Sequence, residues 1–341
     1  MNTSLFQQLP HIYKGLLPDL FSKPIPVESY ANCLDCQMCK PNTHAPHLKT
    51  FSKTSKCCTF KPIIPNYLIG HYLLGNQPSE PLNRHLSHQK QCTPLGFFPS
   101  KNELSAYAKM IPHRFGLDES SICDFLIDGQ CSIWQYRNGI CSTYHCHYVK
   151  GKNGKQFWNA LRDFLQFIET TLSHHCGYVL GISTEYLNHN TTDFFTNIQL
   201  SSLPEYIDSN YSWETKPSDF YIKCAQLVQD FTWEDVRNLS PSRYDILYDY
   251  LQHCMNQMNQ PKTPVYLTQN PACKIIPFDD THSFFETTRL IKLPNIVHQL
   301  LGLFDRQTPN EAIITTAKNT LNVDIDMAYI QHLYEQELLI E

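Results

Sequence analysis

Glycine is scarce in this chain, at 12 of 341 residues. Phosphate-cradling loops and the sharp turns that present a nucleophilic serine are built on glycine, and the sequence holds no Walker A motif, no GxGxxG and no GxSxG. Charge is also sparse: charged residues make up 17% and the formal net charge is −5. That balance supplies no basic stripe to attract nucleic acid, so nucleic acid is not expected as a partner. No run approaches the roughly 18 apolar residues of a membrane helix, so no membrane association is expected. The opening residues, Met1 to His11, lack a basic stretch followed by an apolar one, which predicts a cytoplasmic protein. The C-x3-C-x2-C spacing of radical-SAM enzymes is missing, which argues against that reaction class in its usual form.

Cysteine, by contrast, is abundant and grouped. Ten of the 14 cysteines fall between Cys33 and Cys146. The first group is Cys33, Cys36 and Cys39 in a C-x2-C-x2-C run, followed by the adjacent pair Cys57 and Cys58. The second is Cys123, Cys131, Cys141 and Cys146. A disulfide framework requires an oxidising compartment and is usual in small chains; neither condition fits here. Clustered thiolates in a reducing compartment hold metal, because soft sulfur ligands select zinc, copper(I) or iron–sulfur clusters.

Three thiols on one tight loop can reach a single metal centre, and Cys57 or Cys58 is the natural fourth donor. The second group also supplies four thiols, at wider spacing. Together the groups allow two four-thiolate sites or one shared assembly, holding iron–sulfur or, as the alternative, zinc. Lysines 40, 49, 53, 56 and 61 stand near the first group against one acid, Asp35. They either offset a negative cluster and lower thiol pKa or form a solvated face. Among the 16 histidines, the pairs His44/His47, His85/His88 and His145/His147 are close enough to ligate, and only the last flanks a cysteine of the groups. Tyr136 and Arg137 either face a cluster or pack. Cys92 reads as a structural thiol, and Cys176, Cys224 and Cys254 as buried inert ones.

The pattern along the chain predicts an α+β protein of three parts. Residues 1–150 read as an irregular cysteine-rich metal-binding domain, with residues 1–32 packed as a lead-in on the cysteine region. Residues 151–260 read as a helical region: Phe157, Trp158, Leu161, Phe164, Leu165, Ile168 and Leu172 recur at helical spacing with an end near Gly177, and further helices fit Ser218–Phe231, Trp233–Leu239 and Ser242–Asn256. Residues 261–341 read as a small winged-helix domain. Short strands fit Val265–Thr268, Cys273–Phe278 and Phe284–Leu293, and a helix fits Asn295–Phe304. Thr308, Pro309 and Glu311 form a helix start, Asp326–Glu337 a third helix and Leu338–Ile340 a closing strand.

Cys123, Cys131-Ser132-Ile133-Trp134, Arg137 and Cys141, taken with the upstream C-x2-C-x2-C run and Cys57-Cys58, resemble the YkgJ-type family of CxxCxxCC zinc- or iron-chelating domains. The resemblance covers about residues 33–150. Asn138 stands where that family usually has proline, and 17 residues (40–56) separate Cys39 from the adjacent pair. The resemblance implies metal binding by Cys33, Cys36, Cys39, Cys57, Cys58, Cys123, Cys131, Cys141 and Cys146. Because the family includes flagellin lysine N-methylases, it also implies modification of a peptide or protein, with S-adenosylmethionine as cofactor by that analogy alone. The stretch from Leu300 to Asp305, Thr308 to Ile313, Ile330, Leu333 and Glu337 to Leu339 resembles the PqqD-like winged helix, which implies a peptide or protein substrate bound at a strand edge. The expectation is a cytoplasmic metalloprotein with one or two iron–sulfur clusters or zinc, modifying a presented substrate. The alternatives are a non-enzymatic zinc-stapled adaptor and a redox- or iron-sensing protein.

Overall fold

The computed structural model describes residues 2–28, 33–40, 50–75, 79–88, 91–146, 148–189, 211–259, 263–287 and 290–341. His44, His47 and His147 lie outside them, as do residues 190–210 of the region expected to be mostly helical. Helices and small antiparallel sheets together make the chain α+β.

The N-terminal lead-in forms strand β1 (Asn2–Ser4), helix α1 (Leu5–Gln8) and strand β2 (Pro24–Pro26), with β1 and β2 antiparallel. Leu5, Tyr13, Phe21 and Ile25 of this segment are buried in the main core, as expected of a packed lead-in. The cysteine-rich region carries more helix than its sequence pattern suggests. It comprises β3 (Ile64–Pro65), α2 (Asn66–Gly75), α3 (Glu80–His88), β4 (Cys92–Thr93), β5 (Gly96–Phe97) and α4 (Lys101–Arg114). After them come β6 (Leu126–Ile127), β7 (Gln130–Cys131) and α5 (Gly139–Thr143). Helix α2 is buried nearly all round, so it shows no polar face and escapes a search for amphipathic periodicity. Helix α4 starts at a capping box in which Ser100 and Glu103 satisfy each other's backbone N–H groups.

Helix α6 (Gly151–Val179) is the spine. Its apolar stripe of Phe157, Trp158, Leu161, Phe164, Leu165, Ile168 and Leu172 is fully buried, and each such side chain contributes about 1.5–3 kcal/mol of burial. The helix runs past Gly177, which sits against Leu187, and stops after Val179. Around it lie α7 (Thr184–His189), α8 (Pro217–Val228), α9 (Trp233–Leu239) and α10 (Pro241–Asn259); α5, α8 and α10 pack directly on α6. Helix α8 also packs along α2. There the backbones touch: a Cβ on Gly70 would lie 1.8 Å from the Tyr221 carbonyl oxygen.

The C-terminal part has its own core, built on Leu267, Phe285, Leu300, Leu301, Ile330, Leu333 and Leu339 among others. Its elements are β8 (Tyr266–Gln269), β9 (Lys274–Pro277), β10 (His282–Glu286), β11 (Leu290–Pro294), α11 (Ile296–Leu301), β12 (Asp305–Pro309), α12 (Asn310–Thr316), α13 (Met327–Glu335) and β13 (Leu339–Ile340). They form two three-stranded antiparallel sheets, β11-β10-β9 and β12-β8-β13. The span expected as one strand, Phe284–Leu293, is a hairpin of β10 and β11. Asp326 caps α13 by accepting from the Tyr329 N–H at 2.8 Å. Pro309 precedes α12, but the Thr308 and Gln307 N–H groups go to the Asp305 carboxylate, so Asp305 rather than Glu311 organises that start. This part meets α6 at Gly151, whose φ of +49° and close approach to the Glu335 carbonyl leave no room for a side chain.

Gly70→Ala forces α2 and α8 apart, and a stability loss of about 1–3 kcal/mol is expected from overpacking of this kind. A urea midpoint unchanged from wild type would show that the helices are not locked there.

Candidate metal centre

Four short segments carry the thiols. In the first, Gln37–Cys39 makes a tight turn closed by the Cys39 N–H on the Cys36 carbonyl at 3.1 Å, and the Phe51 N–H reaches the Met38 carbonyl at 2.6 Å. The second, residues 51–58, is clamped to Gly116 beyond α4: the Ser52 N–H and Ser55 hydroxyl donate to its carbonyl, and Thr59 Oγ1 accepts from its N–H. Lys56 takes a left-handed backbone conformation (φ +50°) in the turn just before the adjacent cysteines.

The third segment begins where the Cys123 N–H donates to the Cys58 carbonyl at 2.8 Å, joining the two cysteine groups through the backbone. It continues into the β6–β7 hairpin, whose turn residues Asp128 and Gly129 both have positive φ, as a two-residue turn of the Asp-Gly type requires. That dipeptide was a readable hairpin signal. The fourth segment is α5 and its approach. Arg137 stacks on the Trp134 ring at 3.4 Å and donates to the Trp134 and Cys141 carbonyls. Asn138 caps α5 by accepting from the Cys141 N–H at 2.9 Å and donates to the Ile63 carbonyl at 2.8 Å. An amide here does what proline cannot, tying the cysteine-bearing helix to β3's approach.

These segments enclose a cavity of about 660 Å³. Eight of the nine predicted thiols line it: Cys33, Cys36, Cys57, Cys58, Cys123, Cys131, Cys141 and Cys146. Cys39 is not among the lining residues, and its thiol donates to the Ser52 carbonyl at 3.4 Å. Among the described residues, no three Cys, His, Asp or Glu side chains converge tightly enough to enclose a single ion; the thiols ring a space instead. Lys56 binds across the groups, its Nζ donating to the Cys33 carbonyl at 2.7 Å and the Gly129 carbonyl at 2.8 Å. Lys56 and Arg137 therefore stand as cations beside the thiols.

The electrostatics follow from that layout. The Cys58 thiol is lowered to about 7, first by the hydrogen bond from Cys57 and then by Lys56 and Arg137, against the opposing effect of burial. Cys57 is pushed up by that same bond and by burial. Burial raises Cys123 to about 12 and Cys141 and Cys131 as well, with neighbouring thiols adding to it. Cys39 is raised to about 11 by burial and by Cys36. A metal would relieve all of these, since its charge favours thiolate.

The cavity is also lined by the polar side chains of Gln8, Glu28, His145, Arg162 and Gln166. Glu28 is held by Trp158 Nε1 and the Val149 N–H, both at 2.7 Å. His145 lies edge-on to Trp158, with ring centroids 4.3 Å apart, and among the described residues neither of its buried ring nitrogens has a hydrogen-bond partner. Burial lowers its pKa to about 4, so it stands neutral with one lone pair to offer. Of the histidines singled out, His85 instead packs between Phe97 and Phe125 and pairs with Asp124 at 3.3 Å. Tyr136 packs edge-on against Tyr72. Cys92, Cys176, Cys224 and Cys254 are buried elsewhere. Gln8, Glu28, Arg162 and Gln166 come from distant elements with no local motif, and no sequence signal marked them.

Behind α5, the carboxylate of Glu169 is fully buried in α6 and accepts from the Gly139 N–H at 2.6 Å and from the Tyr13 hydroxyl. Burial raises its pKa from 4.5 to about 8 despite those bonds. Between those values the folded chain holds a proton that the unfolded chain has lost. Its contribution to stability is therefore complete below about 4.5 and is lost as pH rises toward 8. Relative to wild type, Glu169→Gln should flatten the fall in stability across this window, a slope of at most about 1.4 kcal/mol per pH unit. Parallel wild-type and variant curves from denaturation at pH 5, 6, 7 and 8 would contradict this.

Comparison with family models, curated proteins and solved structures gives no match, so the reading of this site rests on its own residues.

Proposed function

We propose that this chain is a metalloprotein whose clustered cysteines bind iron–sulfur centres, and that the centres serve the modification of a peptide or protein substrate. The observation that carries the reading is the sharing of one cavity by both cysteine groups, with the polar side chains of Gln8, Glu28, His145, Arg162 and Gln166 lining the same cavity. A zinc staple needs four thiols closed on one point; a roomy cavity ringed by thiols suits a larger inorganic cluster. Lys56 and Arg137 supply positive charge beside a negatively charged assembly. Glu28, His145, Arg162 and Gln166 supply what a staple has no use for: polar groups positioned to hold or orient a second molecule.

The substrate side of the proposal draws on the C-terminal part, which we read as a winged helix of the PqqD-like kind. Strand β12 lies at the edge of its sheet and is exposed along most of its length, a place where an extended peptide can add by backbone pairing. No helix among the described residues is long and apolar enough to cross a membrane.

Anaerobic purification with visible absorption and iron, sulfide and zinc analysis on one sample tests the metal. The expected result is broad charge-transfer absorption with matching iron and sulfide. Cys123→Ser should remove much of it, whereas Cys273→Ser, in the C-terminal part, should leave it intact. A colourless protein with stoichiometric zinc would replace the cluster with a staple, and a metal-free protein would overturn the reading altogether. Hydrogen exchange tests the substrate: residues 305–309 should gain protection with a bound peptide, and unchanged exchange with every candidate peptide would remove the recognition role.

A further inference from the structure

The polar side chains of the cavity follow one face of α6. Trp158, Arg162 and Gln166 recur every fourth residue, so they share that face at steps of about 6 Å along the axis. Glu28 sits at the level of Trp158, its carboxylate held by Trp158 Nε1 and by the Val149 N–H, both at 2.7 Å. The chain leaving α5 runs back along the same helix. At its start a Cβ on Gly139 would lie 2.8 Å from Leu165, and at its end the His145 ring meets Trp158 with centroids 4.3 Å apart. Glu28 and His145 therefore stand at one level of α6, Arg162 one turn on and Gln166 a turn further, and all four line the cavity.

Two of these groups await a partner that the described residues do not supply. Gln166 is 3% exposed, in the middle of a helix whose other buried positions are mostly apolar. Thr170 bonds to its backbone carbonyl, but among the described residues its side-chain amide has no hydrogen bond. A buried amide in that state is costly, and native chains rarely keep one unless something binds it. The ring nitrogens of His145 are buried and equally without a partner among the described residues. Arg162 is held in place from its own helix: Nε and Nη2 donate to Asp163 at 3.0 and 2.9 Å, and Nη1 donates to Asn159 at 3.3 Å. Those bonds use three of the five guanidinium N–H groups and leave two for another acceptor.

We propose that this line of side chains binds a free α-amino acid as its zwitterion, with the ammonium at the Glu28 carboxylate and a His145 ring nitrogen, and the carboxylate at Arg162 and the Gln166 amide. Charge and spacing carry the assignment. Opposite charges about one helical turn apart suit a molecule whose ammonium and carboxylate are joined through a single carbon, each end making charge-assisted bonds of about 2.8 Å. A simple cation would leave Arg162 and Gln166 unused, and a simple anion would meet the Glu28 carboxylate. The cavity, about 660 Å³, has room for the side chain of the amino acid beside the thiols. The assignment rests on the reading of these residues as the surface that holds a second molecule, distinct from a peptide paired at β12, and it does not depend on the metal.

Full-length protein, as purified, is screened by thermal unfolding against the free protein amino acids one at a time, and each that raises Tm is measured by titration calorimetry. At least one should bind, and its N-acetyl and carboxamide derivatives, each lacking one charge, should bind at least about tenfold more weakly. Arg162→Gln and Gln166→Leu should each weaken binding by about tenfold or more, whereas Lys318→Gln, in the C-terminal part, should leave it unchanged. Arg162 is partly exposed, so its variant carries the test if the Gln166 variant fails to fold. Binding of no amino acid would overturn the proposal, as would equal binding by the Arg162 variant. Equal binding of either blocked derivative would overturn the zwitterion by showing that one charged end suffices. A metal-free protein that binds an amino acid removes the metal reading alone; a metal-loaded protein that binds none removes this one alone.

Discussion

A carboxyl group buried in the middle of α6 joins three parts of the chain beside the cavity. Glu169 binds Gly139, at the start of the helix that carries Cys141, and Tyr13, in the N-terminal lead-in. The Tyr13 hydroxyl also lies 3.0 Å from the Arg137 carbonyl, so the lead-in, the spine and the approach to α5 meet at one polar point inside an apolar core. Such a group is costly to bury without partners, and removal of Glu169 leaves the Gly139 N–H without its acceptor. The position of Cys141 is thus set from behind by the core and not by the cavity it faces.

The same logic recurs around the cavity. Every thiol-bearing segment is irregular or very short, and none would hold its shape alone. Three of them are held by hydrogen bonds to other parts of the chain: residues 51–58 to Gly116 just beyond α4, the Cys123 N–H to the Cys58 carbonyl, and the Asn138 amide to the Ile63 carbonyl before β3. Lys56 then closes the ring by binding Cys33 and Gly129 across it. Preorganised donors of this kind suit metal binding, because little of the binding free energy is lost in ordering the ligands.

Much of the helical half was legible in local pattern. The stripe from Phe157 to Leu172 marked α6, and the helices expected over Ser218–Phe231, Trp233–Leu239, Ser242–Asn256 and Asp326–Glu337 correspond to α8, α9, α10 and α13, where Pro217 and Pro241 supply a fixed φ and Thr232 and Asp326 a capping oxygen. The extent of α6 was not legible, because Gly177 looked like a stop and is instead a contact point for Leu187. Helix α2 was missed because burial on all sides erases the periodicity that reveals a helix. The long strand expected over Phe284–Leu293 divides because β10 pairs on both sides, with β9 and with β11, and the second pairing needs a turn.

For the cavity, the sequence by itself determined the side-chain chemistry: nine thiols in two runs, with lysines and an arginine among them. Side-chain chemistry is a local property, and clustering of cysteine is visible in one dimension. Only the tertiary structure decided which thiols meet. The Cys123–Cys58 backbone bond, the bond from the Asn138 amide to the Ile63 carbonyl and the bond from Lys56 to the Gly129 carbonyl are contacts between residues far apart in sequence. The polar lining of Gln8, Glu28, His145, Arg162 and Gln166 belongs to the same class. It is drawn from the lead-in, the end of the cysteine region and the spine, and it exists only because the core packs those three together.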